Sequence, residues 1–401
     1  MNPPGFSGEG PDPFRSAREK SPALPLEVAG ENIPMLLRLQ DIRAACKNAA
    51  VFSSARPFHI TLEPETAVRN FRQFPIESDP PEHTDYRAIV EPMFRRADQP
   101  EYVEEINRIL VDSLDHLLER GEAEIVREFA LPVQCRALTL LLGLPEQEAA
   151  KWIEWGTHVF HGSESGGSQV EAYIAIQLER ASRSPGDDFF SALHRACFQG
   201  RPLTYDEKQG FANLAFAGGR DTIIQTLTGI FAVAADQPGL LESIREHPEL
   251  AVTATEEIVR FVSPLTVLAR SCTRDTPFQT AGGRVGLCWS SANRDARFFP
   301  DPDTFDAGRS PNPHIGFGFG PHNCLGATHA RTLLRALFLI LAERKVAVRL
   351  VTSKPALETY GSHIRQSGLQ ELRVSLSAVK PAAQPAQRKA SGVGLPDPGG
   401  V

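Results

Sequence analysis

The segment Phe317-Gly318-Phe319-Gly320-Pro321-His322-Asn323-Cys324-Leu325-Gly326 constrains this chain more than any other. Glycines and a proline lead into a cysteine that stands directly before an amphipathic, helix-like stretch. A sulfur there lies against a helix N-terminus and the N–H groups of a tight turn, both of which stabilise a thiolate. Glycine permits the tight path and lets backbone approach a flat ligand closely. N–H groups around such a sulfur also tune it as an iron ligand. Two other readings share these residue types. A dinucleotide-binding fingerprint spaces its glycines similarly, but it needs a preceding strand and a βαβ unit, which this context lacks. A plain turn holding a buried cysteine is the other.

The rest of the chain suits a large folded body. Of 401 residues, 41% are hydrophobic and 23% charged, which is globular composition far from the disordered regime. No linker interrupts residues 31–379, so a single domain is expected there. Residues 1–30, rich in Pro and Gly, read as an irregular lead-in, and 380–401 as a low-complexity, disordered tail. The net charge of −7, with dispersed arginines and no basic stripe, argues against nucleic-acid binding. The N-terminus lacks the pattern of a secretory signal, and the densest apolar patch, 137–144, is too short to span a bilayer. A cytoplasmic protein without a membrane anchor is expected. Cys46, Cys135, Cys197, Cys272 and Cys288 form no CxxC or zinc-site pattern and read as small buried hydrophobes.

Hydrophobic periodicity predicts helices over 33–50, from 83 past 94, and over 98–120, 124–142, 146–160, 168–183 and 188–197. Pro132 is expected to open a new helix within 124–142. One long helix is predicted over 204–238, with Gly218-Gly219 in its middle. Helices at 242–247 and 250–262 follow. Short strands are predicted at 58–62, between 265 and 289, and at 347–351 and 371–376, and a last helix from just after Cys324 to 344. The fold class is mainly α with small β-sheets (α+β).

The cysteine loop resembles the haem-binding loop of the cytochrome P450 family, Phe-x-x-Gly-x-His/Arg-x-Cys-x-Gly, matched by Phe317, Gly320, His322, Cys324 and Gly326. Further phrases of the same family lie in the expected order, and the resemblance covers roughly residues 30–376. It implies a triangular, helix-rich single body with haem b between the long central helix and the cysteine helix. Cys324 becomes the axial thiolate, Phe317 shields the sulfur, and His322 contacts a haem propionate. Within Ala217-Gly218-Gly219-Arg220-Asp221-Thr222, Gly218 leaves room over the iron. Asp221 and Thr222 relay protons to bound dioxygen; read without the resemblance, Thr222 is a threonine bonding back along a weakened helix. Glu257 and Arg260 match a buried Glu-x-x-Arg pair. Its third partner is missing where Thr304 stands, with Arg294 and Arg309 as substitutes. His83 and Arg87, four apart on one helix face, match a propionate-binding pair, and Arg270 a further propionate contact.

The activity implied is insertion of one oxygen atom of O2 into a C–H bond, the other leaving as water. Electrons would come from NAD(P)H through a ferredoxin reductase and a ferredoxin, with Arg331 and Arg335 as docking candidates; a monomer is expected. Leu214, Ala217, Leu265, Thr266 and Val267 are expected to line an apolar pocket with parts of 60–78 and 366–368, favouring a lipophilic terpenoid or steroid. Arg220 lies about 200° around the helix from Gly218, so it is expected to point away and pair with an acid. A peroxide-using enzyme, a haem-thiolate isomerase or dehydratase, and a haem-based binding or sensor protein are the alternatives.

Overall fold

The computed structural model describes residues 12–157 and 164–378, so the expectations for 1–11 and for the tail from 380 lie outside the described residues. The body is helix-rich with small sheets, as expected. Its main apolar cluster is built on the central helices, with Phe129, Phe231, Leu334 and Leu337 at 0% exposure.

The central helix begins where the sequence provides a cap. The Thr204 hydroxyl accepts a hydrogen bond from the Glu207 N–H, and the Glu207 carboxylate accepts one from the Thr204 N–H, satisfying donors that the first turn leaves unpaired. The single long helix expected over 204–238 is instead two, Tyr205–Gly219 and Asp221–Asp236, broken at Arg220 (φ −106°, ψ −77°). Two consecutive glycines weaken the helix, and side chains take over the carbonyls of the broken turn. The Thr222 hydroxyl donates to Gly218 O at 3.1 Å, and Gln134 Nε2 donates to Gly219 O.

Two larger sheets flank the helices, beside two two-stranded ones among the described residues. The larger runs Ala23–Leu24, Met35–Leu36, Arg284–Cys288, Val267–Cys272, Phe52–Ser53, with Met35–Leu36 parallel to Arg284–Cys288 and the other pairs antiparallel. The other joins the hairpin Val346–Tyr360 and His363–Ala378 to Glu122–Glu124. The hairpin is far longer than the strands expected at 347–351 and 371–376. Its outer half carries too many exposed polar residues for alternation to register.

Three further expectations are corrected. The helix predicted over 33–50 is confined to Leu39–Lys47, because Met35–Leu36 is claimed by a strand partner remote in sequence. No strand forms at 58–62; Ile60 O accepts from the Ala269 N–H as a single bond, and the strand of this region is Phe52–Ser53. The lead-in is not irregular from residue 12 onward. It forms helix Arg15–Lys20 and strand Ala23–Leu24, with Phe14 and Arg18 buried. Arg18 reaches Asp12, Ser291 O and Arg294 O, a set of partners that no local pattern announces. The stretch 124–142 is a π-helical turn, Val126–Ala130, running into Leu131–Leu142, with Pro132 in the first turn of the second piece as expected.

Candidate active site

A cavity of about 970 Å³ lies between the broken central helix and the cysteine loop. Of the residues singled out in the sequence, it brings together His83, Arg87, Leu214, Ala217, Gly218, Asp221, Thr222, Leu265, Thr266, Val267, Arg270, Phe317, His322, Cys324 and Gly326. Gly320, Glu257 and Arg260 do not line it. Gly320 (φ +73°) instead lets the loop pass the Cys46 carbonyl, where a Cβ would come within 2.8 Å of the oxygen. A side chain there would meet both a strained backbone and a clash.

The loop holds Cys324 from both sides. The Cys324 N–H donates to Phe317 O at 2.7 Å, and the Asn323 N–H to Gly320 O at 3.0 Å. Asn293 anchors the loop's start by accepting from the Ile315 N–H at 2.8 Å and donating to Ser263 Oγ at 2.9 Å. Helix Ala327–Glu343 begins immediately afterwards. Cys324 opens onto the cavity but is otherwise surrounded by protein, and this burial pushes the thiol pKa up. The Gly326 N–H and the cations Arg87 and Arg331 pull against it. These are the influences that favour a thiolate once a metal takes its proton's place. Arg331 lies 4.5 Å over the Phe317 ring and pairs with Glu256 at 2.7 Å, so it steadies the loop instead of standing free as a docking cation. Cys197 is exposed, unlike the other four cysteines outside the loop.

Four nitrogen-rich side chains gather at one part of the wall. The His83 and His322 rings lie 4.2 Å apart. His83 is pushed down to about 4 by burial, then by Arg87, and His322 down to about 2 by burial, then by Arg270. Arg87 donates to Asn323 O at 2.8 Å, and His322 Nε2 has no hydrogen-bond partner. Arg270 is 4% exposed, yet its side chain donates only to Ala269 O at 2.7 Å, and no carboxylate among the described residues pairs with it. A buried cation and an orphaned ring nitrogen gathered beside one cavity are costly without a counter-charge. The set fits the carboxylates of an anionic cofactor such as haem, beside a sulfur able to ligate its iron.

On the facing wall, a Cβ built on Gly218 meets nothing within 4 Å, so the missing side chain is open space in the cavity. Thr222 and Asp221 stand on the next turn, both half-buried. Arg220 points away as expected, but its partner is not an acid. It donates to Trp152 O at 2.9 Å and Gly156 O at 2.8 Å, at the C-terminal end of helix Glu148–Glu154 and over the Trp155 ring. Carbonyls at a helix C-terminus carry the negative charge that a carboxylate would.

Away from the cavity, Glu257 and Arg260 are fully buried and paired through both nitrogens at 2.7 Å. The third partner is Arg309, whose Nε lies 3.0 Å from both Glu257 oxygens; Arg294 goes instead to Asp303 and Phe261 O. Arg260 and Arg309 also bond carbonyls of 293–304, so the triad clamps the coil that leads into the cysteine loop.

Sequence reasoning missed the polar lining. Gln73 Nε2 donates to Asn213 Oδ1 at 2.7 Å, and Arg69 makes a bidentate pair with Glu77 while also reaching Glu65. Thr266 is bonded to Glu358 and Arg365. Gln73, Asn213, Arg69, Glu65 and Glu358 line the cavity, as does Tyr360. Their signal was present as polar residues in predicted loop and helix, but only the fold turns them to one space.

A family model described as Cytochrome P450 matches residues 175–364. Among solved structures, one described as that of a carbohydrate active P450 is 41% identical, with a TM-score of 0.90, covering 92% of this chain and 98% of that one. The steroid C26-monooxygenase of Mycolicibacterium smegmatis is 30% identical over 70% of this chain and 74% of its own length. The linalool 8-monooxygenase of Pseudomonas putida is 29% identical over 79% of this chain and 84% of its own length.

Proposed function

The chain belongs to the cytochrome P450 family, and from that footing we propose that Cys324 is the sulfur ligand of its haem and that an oxygen-rich, uncharged small molecule is its substrate. As a member it is a haem-thiolate monooxygenase acting on organic compounds. Bound haem supplies dioxygen activation. His83, Arg87, Arg270 and His322 hold its propionates by charge-assisted hydrogen bonds, which the gathering of these groups around one space supports. Phe317 and Gly326 flank the sulfur, and Gly218 would leave cavity space for dioxygen or substrate beside the bound cofactor. Asp221 and Thr222 deliver protons from the break in the central helix. Electrons come from NAD(P)H through a reductase and a ferredoxin, docking near the cysteine loop where Arg335 and Lys47 are exposed.

The substrate reading rests on the lining. The Gln73–Asn213 amide pair together with Arg69 and Glu65 makes part of the wall polar, which suits a hydrogen-bonding molecule better than a purely lipophilic one. Glu27, Glu63, Glu65, Glu171 and Glu358 line the same cavity, so anionic compounds are disfavoured there. The likeness to a carbohydrate active P450 agrees with a sugar or comparable polyol. A second reading, a terpenoid or steroid, is favoured by Leu214, Ala217, Leu265 and Val267 and by the linalool and steroid monooxygenases among the relatives. Optical titration of the ferric protein against neutral sugars, sulfated sugars, terpenoids and steroids separates them. A low- to high-spin shift with neutral sugars alone is expected. A shift with terpenoids or steroids alone replaces the first reading with the second.

The proton-delivery role has its own check. The Thr222→Ala variant is expected to bind haem and substrate normally, while product formed per NAD(P)H consumed falls sharply, toward the roughly hundredfold lower end of general acid–base contributions. An unchanged yield would remove Thr222 from proton delivery.

A further inference from the structure

Arg220 stands between the two parts of the central helix, and the proposed function does not use it. It is 2% exposed and does not line the cavity. Its Nη2 donates to Trp152 O at 2.9 Å and Gly156 O at 2.8 Å, with Cys135 Sγ at 3.9 Å, while Nε and Nη1 have no hydrogen-bond partner. The guanidinium lies 5.6 Å from the centre of the Trp155 ring, and Trp152 and Trp155 both pack on Phe216 of the first helical part.

Local propensity accounts for a weak point here, but not for the shape of the break. Two glycines lower the cost of leaving the helix. The Arg220 backbone (φ −106°, ψ −77°) still departs from helical values of about −63° and −42°, and has to be held there. Around it the bonding changes step. The Ile223 N–H donates to Arg220 O at 3.2 Å, three residues back instead of four. Gly219 O is left to Gln134 Nε2, and Gly218 O receives the Thr222 hydroxyl. The Arg220 side chain supplies the hold. Its two carbonyls stand at the C-terminal end of helix Glu148–Glu154, where the helix dipole is negative. A rotation of residue 220 that broke these bonds would strand a buried charge.

We propose that Arg220 is a positioning residue for proton delivery: its grip on the end of helix Glu148–Glu154 holds the break, and the break sets Asp221 and Thr222 on the cavity wall. This rests on the proton-delivery reading of those two residues. Asp221 follows Arg220 directly and opens the second helical part, with Thr222 next. Both line the cavity and Arg220 does not, so Arg220 acts through them.

The test uses haem-loaded variants fed by a surrogate ferredoxin and its reductase, on the compound that gives the largest shift in the optical titration. Product and hydrogen peroxide are counted per NAD(P)H consumed. Amide hydrogen exchange is followed at Ile223 and Ile224, whose N–H groups bond Arg220 O. Arg220→Met, uncharged and similar in length, is expected to keep the thiolate-type carbon monoxide spectrum and the wild-type Kd for the compound. Both amides are expected to exchange faster, and product yield to fall several-fold, with peroxide making up the difference. Arg220→Lys, whose ammonium still reaches toward the carbonyls, is expected to lie between these and wild type. It carries the test should Arg220→Met fail to hold haem. The yield loss in Arg220→Met/Thr222→Ala is expected to fall well short of the two single losses multiplied, because both act on one delivery step. Wild-type yield in Arg220→Met, or in Arg220→Lys where it stands in, would overturn the proposal. So would a lost yield with wild-type exchange, or losses that multiply in full. A wild-type yield in Thr222→Ala would instead remove the proton-delivery reading beneath it.

Discussion

Cys324→Ser is expected to abolish the thiolate-type spectrum of the reduced carbon monoxide complex and bring monooxygenase turnover below detection. The chain should remain folded. A serine hydroxyl fits the same turn, and the Cys324 N–H bond to Phe317 O is a backbone contact that the substitution leaves intact. What is lost is chemistry. A thiol exchanges its proton for a metal ion far more readily than an alcohol does, and axial-ligand identity is one of the levers on haem reactivity. The Gly326 N–H and the nearby cations Arg87 and Arg331 stabilise negative charge on sulfur in particular. Exposed Cys197 and buried Cys46 are controls: serine at either position should leave the spectrum unchanged. A Cys324→Ser protein that retained the thiolate signature would show that another cysteine ligates the iron.

The second large effect lies outside the cavity. Glu257→Gln removes the one carboxylate that, among the described residues, balances Arg260, which is fully buried, and Arg309, 8% exposed. Losing one partner of a buried ion pair typically costs about 3–5 kcal/mol. Total stabilities are about 5–15 kcal/mol, so Glu257→Gln is expected to be poorly soluble or to unfold at much lower denaturant. Because the triad clamps the coil before the cysteine loop, haem incorporation should fall with it. By contrast, Arg245→Ala, which breaks the surface pair with Glu242, should change stability by less than about 1 kcal/mol. The pH dependence has a definite sign. Burial pushes the Glu257 pKa up, but the bonds from Arg260, the Asp306 N–H and Arg309 outweigh it and hold it below the usual carboxylate range. A depressed carboxylate contributes stability above its unfolded pKa and loses that contribution as pH falls through the folded value. The deficit of Glu257→Gln should therefore narrow in acid. A denaturation midpoint equal to wild type at neutral pH would show that the buried triad does not hold this fold together.

Much of the site is local in origin and was readable from residue order. The cysteine loop, the His83/Arg87 spacing, the Gly218–Thr222 phrase and the Glu257/Arg260 pair each lie within ten residues. Their geometry follows from a turn or from one helix face. Helix existence was legible for the same reason, since a 3.6-residue period registers in a short window. Long-range pairing was not. Met35–Leu36 becomes a strand because Ala23–Leu24 and the remote Arg284–Cys288 flank it, and Arg18 is buried because Asp12, Ser291 and Arg294 supply a carboxylate, carbonyls and a hydroxyl. The choice of Arg309 over Arg294 likewise depends on where a non-repetitive coil passes Glu257, and coils carry no period to read. The break at Arg220 needed Gln134, from a different helix, to satisfy the Gly219 carbonyl. The polar lining of the cavity joins side chains from separate elements. Residue order thus specified the motifs proposed to hold and serve the haem, whose atoms are neighbours along the chain. The packing of remote elements specified what surrounds that chemistry, because which side chains share a cavity depends on contacts between segments far apart in sequence.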